Sequence, residues 1–192
     1  MTIAAIFFDC FGVLYPDTYW TMADNFLGDK LESHRNELHD LVRQVDLGHI
    51  TREQLWEQFA EIVGVSSEVV YSRLKEFGGL DKRLLTFIDI HRSTFKIGMI
   101  SNVGSGFLER MFVERPASDH FDVIILSSEV GLVKPDKRIY ELAAEKLDVR
   151  LEECVFIDDL ETNVLGAKSA GMQALQYKNY AQFIKEVEQL LN

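Results

Sequence analysis

The stretch AAIFFDCFGVLYPD, residues 4–17, decides the fold. Five apolar residues, 4–8, lead into Asp9, and Gly12 lets the chain turn sharply away. This pattern predicts a buried strand of an open α/β sheet with a carboxylate at its end. In such sheets, ligands bind at the carboxyl ends of the strands. Taken alone, Asp9 is also explained as a turn residue or a helix cap, so its function depends on the other strand ends.

Strands and helices alternate in the second part of the chain. The apolar patterns predict helices over 81–93, from about Ser105, and over 136–147, 163–170 and 180–191. They predict strands over 96–100, 122–126, 154–157 and 173–176. Strands that alternate with helices form a parallel, doubly wound sheet, so we predict an α/β fold.

The segment between the first strand and this alternating part is predicted to be helical. Apolar residues recur at helical spacing over 17–27, 31–47, 51–63 and 67–77, and Thr51 with Gln54 forms a capping box. We expect residues 16–80 to form a small all-α cap over the strand ends, and residues 1–15 and 81–192 to form the core. The large aromatic side chains of this segment are expected to pack mainly within it: Trp20, Trp56, Phe59 and Tyr71.

The overall composition excludes several functions. The chain of 192 residues carries a formal net charge of −11, and it has no basic stripe for nucleic-acid phosphates. No apolar run approaches the ~20 residues that span a bilayer, and the N-terminus lacks the features of a signal peptide. We therefore expect a cytoplasmic protein that binds neither nucleic acid nor membrane, as a monomer or a homodimer. Cys10 follows one parallel strand and Cys154 begins another, so no disulfide is expected.

Polar residues also follow two later strands. Ser101 and Asn102 end the strand KIGMI, and Gly104 and Gly106 follow them. A hydroxyl beside free backbone N–H groups at a helix N-terminus is a ready anion site, although a simple helix cap with a glycine turn explains the same residues. Lys134 stands before Pro135, which we place in the first turn of the next helix, where the lysine can neutralise a carboxylate or a phosphate oxygen.

The strand VFI ends in a pair of acids, Asp158 and Asp159, with Asn163 close behind. Adjacent carboxylates at the end of a buried strand repel each other unless a cation or a donor relieves them. Together with Asp9 they form a set of hard oxygen ligands that suits Mg²⁺. A carboxylate nucleophile, a hard metal, an anion cradle and a lysine suit phosphoryl transfer, in which positioning and charge neutralisation carry catalysis.

With these motifs, the chain resembles the haloacid dehalogenase-like hydrolases, a superfamily of aspartate-nucleophile enzymes with a Rossmann-like core and a helical cap. The resemblance covers the whole chain through four ordered motifs: FFDCFGVL, ISN, KPDKRIY and FIDDLETN. In the cap, LGHITREQLWEQF is similar to the sugar-phosphatase and epoxide-hydrolase-phosphatase branch. The resemblance implies a Mg²⁺-dependent phosphatase of a small phosphorylated metabolite, with a sugar phosphate as one candidate.

The resemblance also implies a role for individual residues. Asp9 would be the nucleophile that forms an aspartyl-phosphate, Ser101 would hydrogen-bond the phosphoryl group, and Lys134 would orient Asp9. Asp9, Asp159 and the backbone carbonyl of Phe11 would bind Mg²⁺, with Asp158 in the outer shell. Gly12 and Asn163 would support the site. The expected substrate contacts are Asn102 and, early in the cap, Tyr15, Tyr19 and Trp20.

Phe11 departs from the family pattern. Phosphatases of this family usually carry a second aspartate there, which protonates the leaving alkoxide and then activates water. Its loss commonly costs ~10²–10⁴-fold in rate, so we expect a preference for leaving groups of low pKa unless a cap residue such as Tyr15 or Asp17 supplies the proton.

Two alternatives follow from the same departure. Dehalogenases of the superfamily carry a bulky aromatic at this position and use no metal, and Arg35 and Arg43 are the candidates to hold a halide. The third alternative is a weakly active or non-catalytic relative that still binds phosphate.

Overall fold

The computed structural model describes residues 2–104 and 106–191. Its centre is a parallel sheet of five strands in the order β3-β2-β1-β4-β5. The strands are β1 (Ala5–Phe8), β2 (Lys96–Ser101), β3 (Val123–Leu126), β4 (Cys154–Asp158) and β5 (Gln173–Gln176). Phe7 of β1 is in register with Gly98 of β2 and with Phe156 of β4, so β1 lies in the middle of the sheet. The predicted α/β, doubly wound fold is confirmed.

Helices connect the strands and follow the predicted segments closely. Five of them lie between β1 and β2: α1 (Thr18–Leu27), α2 (Leu31–Asp46), α3 (Arg52–Val63), α4 (Ser67–Leu74) and α5 (Lys82–His91). The later ones are α6 (Leu108–Met111), α7 (Ser127–Val130), α8 (Lys137–Lys146), α9 (Glu161–Ala170) and α10 (Tyr180–Leu191). The capping box at the start of α3 is present. The backbone N–H of Gln54 donates to the Thr51 hydroxyl, and the backbone N–H of Thr51 donates to the side-chain oxygen of Gln54.

Alternate residues of each strand face opposite sides of the sheet, and helices cover both sides. On one side, Ile6 and Phe8 pack with side chains of α5 and α10. On the other side, Ala5 and Phe7 pack with side chains of α8 and α9. Burial on both faces explains why the strands read as continuous apolar runs.

Helices α1 to α4 enclose a separate apolar cluster. Its buried members include Tyr19, Met22, Leu38, Trp56 and Phe59. Trp56 and Phe59 therefore pack within this helical segment, as the sequence predicts. Within the described ranges, no helix has both the length and the apolar character needed to cross a membrane.

The structure corrects three local predictions. The helix expected from about Ser105 is a single turn that begins at Leu108, while Ser105 itself lies outside the described residues. Gly106 has a φ of +80°, which is incompatible with a right-handed helix at that point. Pro135 is not in the first turn of α8, because Asp136 is the N-cap and its carboxylate accepts from the Arg138 N–H. The short helix α7 directly after β3 was not predicted.

Cys10 and Cys154 are both buried and free, in agreement with the expected absence of a disulfide. Burial raises the pKa of the Cys10 thiol, and the neighbouring Asp9 charge raises it further. Cys10 is therefore a packing residue and not a reactive thiolate.

Candidate active site

The candidate active site lies where the strand order reverses. Chain order runs from β1 outward through β2 and β3, and then returns to the other side of β1 with β4. Asp9 follows β1 and its N–H donates to the Ile157 carbonyl of β4, while Asp158 is the last residue of β4. The carboxyl ends of strands on either side of such a switch point leave a crevice for ligands. The fold thus brings the acids of two distant motifs to one edge.

Lys134 joins these acids. Its Nζ atom lies 2.7 Å from Oδ1 of Asp9 and 2.7 Å from Oδ2 of Asp158. Burial by itself lowers the pKa of Lys134, but the charges of Asp9 and Asp158 raise it, and the net shift is upward. Burial raises the pKa of Asp9, the Lys134 ammonium lowers it and the Asp158 charge raises it, again with a net upward shift. One buried cation is thus shared between two buried carboxyl groups.

The backbone of Lys134 is held by Asn102. The Asn102 side-chain amide donates to the Lys134 carbonyl at 3.0 Å, and its oxygen accepts from the Lys134 N–H at 2.8 Å. On the other side, Gly166 of α9 gives room to Pro135, because a Cβ at Gly166 would lie 2.6 Å from the Pro135 Cβ. Asn102, expected to contact substrate, is thus placed as a support for Lys134.

Asp158 has little capacity left for a further ligand. Its Oδ1 accepts from the Leu160 N–H at 2.8 Å, its Oδ2 accepts from Lys134, and the Asn163 amide lies 3.1 Å from both oxygens. The position of Asn163 is itself fixed, since its carbonyl accepts from the Tyr140 hydroxyl at 2.9 Å. Asp158 is therefore suited to orient Lys134.

Asp159 is in a different environment. Burial, together with the Asp158 charge, raises its pKa to about 6. Gly12 leaves the space for this carboxylate, because a Cβ at Gly12 would lie 2.6 Å from its Oδ1, and Gly12 also has a φ of +82°. Any other residue at position 12 would strain the turn and collide with Asp159.

The three acids Asp9, Asp158 and Asp159 each offer an oxygen within 4.8 Å of the others. If all three are ionised, three negative charges face the one positive charge of Lys134, which leaves a net charge of −2. A divalent ion with oxygen ligands balances this charge, and Mg²⁺ prefers carboxylates and water. The donor set of this cluster therefore fits a hard divalent metal.

Ser101 and the predicted anion cradle differ in part from expectation. Ser101 is fully buried at the end of β2, and its hydroxyl has no hydrogen-bond partner in residues 2–104 and 106–191. The Val103 N–H is not free, because it donates to the Ser127 hydroxyl at 2.9 Å. No helix N-terminus follows directly either, since α6 begins only at Leu108. The helix N-terminus expected at the anion site is therefore not found at this point of the described chain, and anion binding at Ser101 stays a prediction.

A cavity of about 200 Å³ opens above the acids. Asp9, Lys134 and Asp159 line its floor together with Asn102 and Asn163. Side chains from the helical segment close it on the other side: Asp17, Thr18, Tyr19, Trp20, Val42, Val45, Asp46, Leu55 and Trp56. Most of these are apolar, so the cavity has a charged floor and an apolar roof.

Two of the three aromatic residues expected to contact substrate line the cavity. Tyr19 and Trp20 line the cavity, whereas Tyr15 is not among its lining residues. Tyr15 instead packs edge-to-face on Phe11, with ring centroids 6.0 Å apart, and Phe107 packs on the other side of Phe11 at 5.8 Å. Phe11 itself lines the cavity as part of this aromatic group.

Sequence reasoning missed Asp46, Trp56 and Phe107 as cavity residues. Trp56 is 2% exposed, and its indole N–H has no partner among the described residues. For Asp46 a signal was present in the sequence. An acid in the last turn of a helix opposes the helix dipole, and Asp46 directly precedes the stop at Leu47 and Gly48.

The comparison with protein families identifies the family of this chain. The model of the haloacid dehalogenase-like hydrolases matches residues 3–171. The chain belongs to this family. It is therefore a hydrolase, and phosphatases are among the relatives of this HAD-like hydrolase.

Two relatives illustrate the range. The HAD-like hydrolase is 25% identical to a sesquiterpene phosphatase of Aspergillus oryzae over 199 residues, covering 99% of this chain and 97% of the relative. It is 36% identical to the mouse bifunctional epoxide hydrolase 2 over 73 residues, 38% of this chain. That match spans only 13% of the length of the mouse protein.

A solved structure supports the fold. A HAD family enzyme of Bacteroides thetaiotaomicron, in complex with magnesium and inorganic phosphate, superposes with a TM-score of 0.74 at 20% identity. The superposition covers 94% of this chain and 98% of that enzyme. At this identity the likeness shows the shared fold.

Proposed function

We propose that this HAD-like hydrolase is a Mg²⁺-dependent phosphatase of a small phosphomonoester, and that residues 16–80 form the cap over its active site. The observation that carries the proposal is that two adjacent acids have different partners. Asp158 is fully engaged by Lys134, Asn163 and a backbone N–H, while Asp159 stands beside Asp9 with its pKa raised by burial. An acid pair of this kind needs a cation at Asp159, and a metal-free dehalogenase has no use for one.

In this proposal, Asp9 is the nucleophile. One of its carboxylate oxygens attacks phosphorus, and the bond from phosphorus to the ester oxygen breaks. Lys134 holds the other oxygen, Oδ1, at 2.7 Å and so fixes the direction of attack. The buried Ser101 hydroxyl, which lacks a partner in the described chain, is proposed to donate to the phosphoryl group.

Mg²⁺ would be held by Asp9, Asp159 and the Phe11 carbonyl, with Asp158 behind them. When bound, it neutralises phosphoryl charge and lowers the pKa values that burial raises. The relative crystallised with magnesium and phosphate supports this choice of metal for the family fold.

The substrate class follows from the cavity walls. Apolar surface predominates in this wall, from Val42, Val45, Leu55, Trp20 and Trp56, beside the polar groups of Asp17, Thr18, Asp46 and the Trp56 N–H. This supports an ester with an apolar or aromatic organic group over a hydroxyl-rich sugar phosphate. The similarity to a sesquiterpene phosphatase over nearly the whole chain supports the same choice.

Among the described residues, the one cation that lines the cavity is Lys134, and it is already paired with Asp9 and Asp158. Arg35 is half-buried, pairs with Glu32 at 2.7 Å and lies over the Trp20 ring, and Arg43 is exposed on α2. Neither arginine lines the cavity within the described chain. The aromatic residue at position 11 is therefore the feature that favours the dehalogenase alternative.

The test is one protein preparation assayed in two ways. Phosphate release from p-nitrophenyl phosphate is measured with Mg²⁺ and with chelator, and halide release from a 2-haloacid is measured with chelator. We expect phosphate release that requires Mg²⁺ and that Asp9→Asn abolishes. Halide release in chelator without phosphatase activity would instead establish the dehalogenase, and binding of phosphate without either reaction would establish a non-catalytic relative.

A further inference from the structure

The position of Phe11 leaves a chemical gap in the proposed reaction. An alkoxide leaving group needs a proton, and the water that hydrolyses the aspartyl-phosphate must lose one. Phe11 has no exchangeable proton, and its ring is held between Tyr15 and Phe107. Tyr15 has a hydroxyl, but this residue does not line the cavity. The proton must therefore come from another group in the cavity.

The acids that line the cavity are Asp9, Asp17, Asp46 and Asp159. The proposed function uses Asp9 as nucleophile and Asp159 as metal ligand. Asp17 is the N-cap of α1, and its carboxylate accepts from the Trp20 N–H at 3.3 Å. Burial raises the pKa of Asp17 while its hydrogen bonds to the α1 backbone oppose the shift, and this capping role commits the carboxyl group to the start of the helix. Asp46 is the acid without an assigned role.

The position of Asp46 favours its neutral form. It is the last residue of α2, where the negative end of the helix dipole disfavours a carboxylate. Burial raises the pKa of Asp46 and the Lys134 ammonium lowers it, and the net result is a pKa of about 7. A group with a pKa near the working pH can both donate and accept a proton, as a general acid and base requires.

The other charged groups near Asp46 are either exposed to solvent or line the cavity. Arg43 on its own helix and Glu129 on α7 are exposed, and the Ser127 hydroxyl of α7 donates to the Asp46 backbone carbonyl. Lys134, Asp9 and Asp159 lie across the cavity, whereas Asp17 lines the same side as Asp46. Of these groups, the Lys134 ammonium opposes a protonated Asp46, and burial outweighs its effect.

The core holds the end of α2 in place. The Ser127 hydroxyl donates to the Asp46 carbonyl at 2.6 Å and accepts from the Val103 N–H at 2.9 Å. Gly104 allows close packing, because a Cβ there would lie 2.7 Å from Cγ2 of Val45. The backbone of Asp46 is thus tied to the loop that follows Asn102 and lies beside Lys134.

We propose that Asp46, from the helical cap, is the general acid and base that replaces the aspartate missing at position 11. This inference rests on the proposed phosphatase function. As Asp9 attacks phosphorus and the ester bond breaks, the Asp46 carboxylic acid gives its proton to the leaving oxygen, and the alcohol departs. The Asp46 carboxylate then takes a proton from water, whose oxygen attacks the aspartyl-phosphate. Phosphate leaves, and Asp9 and protonated Asp46 are regenerated.

The test compares two esters of similar size that differ in leaving group. p-Nitrophenyl phosphate needs no proton on its leaving oxygen, whereas benzyl phosphate does. The ratio kcat/KM reports the step in which the ester bond breaks. In Asp46→Asn we expect kcat/KM for benzyl phosphate to fall ~10²–10⁴-fold. The fall for p-nitrophenyl phosphate should be at least ~10-fold smaller.

Two further measurements separate catalysis from structure. Phe11→Asp in the Asp46→Asn background returns an acid to the usual position and should restore benzyl phosphate hydrolysis. The basic limb of the pH profile for benzyl phosphate should disappear in Asp46→Asn. The matched control is Asp40→Asn, which makes the same change at an exposed position of α2 and should alter neither ester.

The outcomes are distinguishable. If the wild type with Mg²⁺ releases phosphate from neither ester, the proposed function fails and the role of Asp46 with it. If the wild type is a phosphatase and Asp46→Asn lowers kcat/KM equally for both esters, or for neither, the role of Asp46 alone is overturned.

Discussion

Lys134 and Asp158 form a buried ion pair, with Nζ 2.7 Å from Oδ2 and with side chains that are 1% and 0% exposed. The same Nζ atom also pairs with Asp9 at 2.7 Å. Two strand ends that are separated by most of the chain thus share the positive charge of a single loop residue. The charge balance of the site depends on this residue.

The first prediction concerns the free energy of unfolding. Lys134→Met keeps the volume of the side chain but leaves Asp9 and Asp158 buried without a cation. Removal of one partner from a buried charge pair typically costs ~3–5 kcal/mol, and we expect a loss of this size at neutral pH. Urea denaturation followed by circular dichroism measures it. Lys137→Met is the control, because Lys137 is 65% exposed and its pair with Glu141 contributes at most ~1 kcal/mol.

The second prediction concerns the support of Lys134. Asn102→Ala removes both hydrogen bonds to the Lys134 backbone, so the ammonium loses its fixed position relative to Asp9. We expect kcat to fall ~10–100-fold while KM changes little, since a displacement of about 1 Å commonly costs this much. A rise in KM with an unchanged kcat would show instead that Asn102 binds substrate directly.

The third prediction concerns the metal. Mg²⁺ at 100 times its dissociation constant should stabilise the protein by about 2.7 kcal/mol, and thermal unfolding with and without chelator measures this. Asp159→Asn should weaken Mg²⁺ binding at least ~10-fold, because it removes the carboxylate whose capacity is still free. Glu161→Gln, at a nearby exposed position, should bind Mg²⁺ as the wild type does. Equal affinity in Asp159→Asn and the wild type would place the metal elsewhere.

The fourth prediction concerns pH. The pKa of Asp46 is raised from 3.8 to about 7, so the folded state holds a proton that the unfolded state releases between these values. The contribution of this group to stability is therefore full below about pH 4 and is lost as pH rises through about 7. Asp46→Asn does not lose stability in this way. As pH rises, the free energy of unfolding of the variant should therefore increase relative to the wild type, by at most about 1.4 kcal/mol per pH unit.

Urea denaturation at several pH values between 5 and 8, in chelator, measures this difference. Asp40→Asn should follow the wild type at each pH, because its carboxyl group is exposed. A constant difference between Asp46→Asn and the wild type would show that Asp46 is ionised in the folded state over the whole range.

Much of the fold was predictable because its signals are local. The strands are buried on both faces, and each therefore appears as a short apolar run that ends in a polar residue. Helix bounds were within a few residues where a cap marks them, as at Thr51 and Gly64. The prediction failed around Ser105 and Pro135, where glycine conformation and the Asp136 cap decide where the helix begins.

The sequence by itself determined the family, the sheet and the identity of the acids that meet at the strand ends, because strand order and direction force these ends to one edge. Only the tertiary structure decided what each polar group contacts. It engages Asp158 with donors, leaves Asp159 beside Asp9, turns Asn102 toward Lys134 and places Asp46, at the end of α2, in the same cavity as the acids. Burial and charge act through space, so the protonation of these groups depends on neighbours that are remote in the chain.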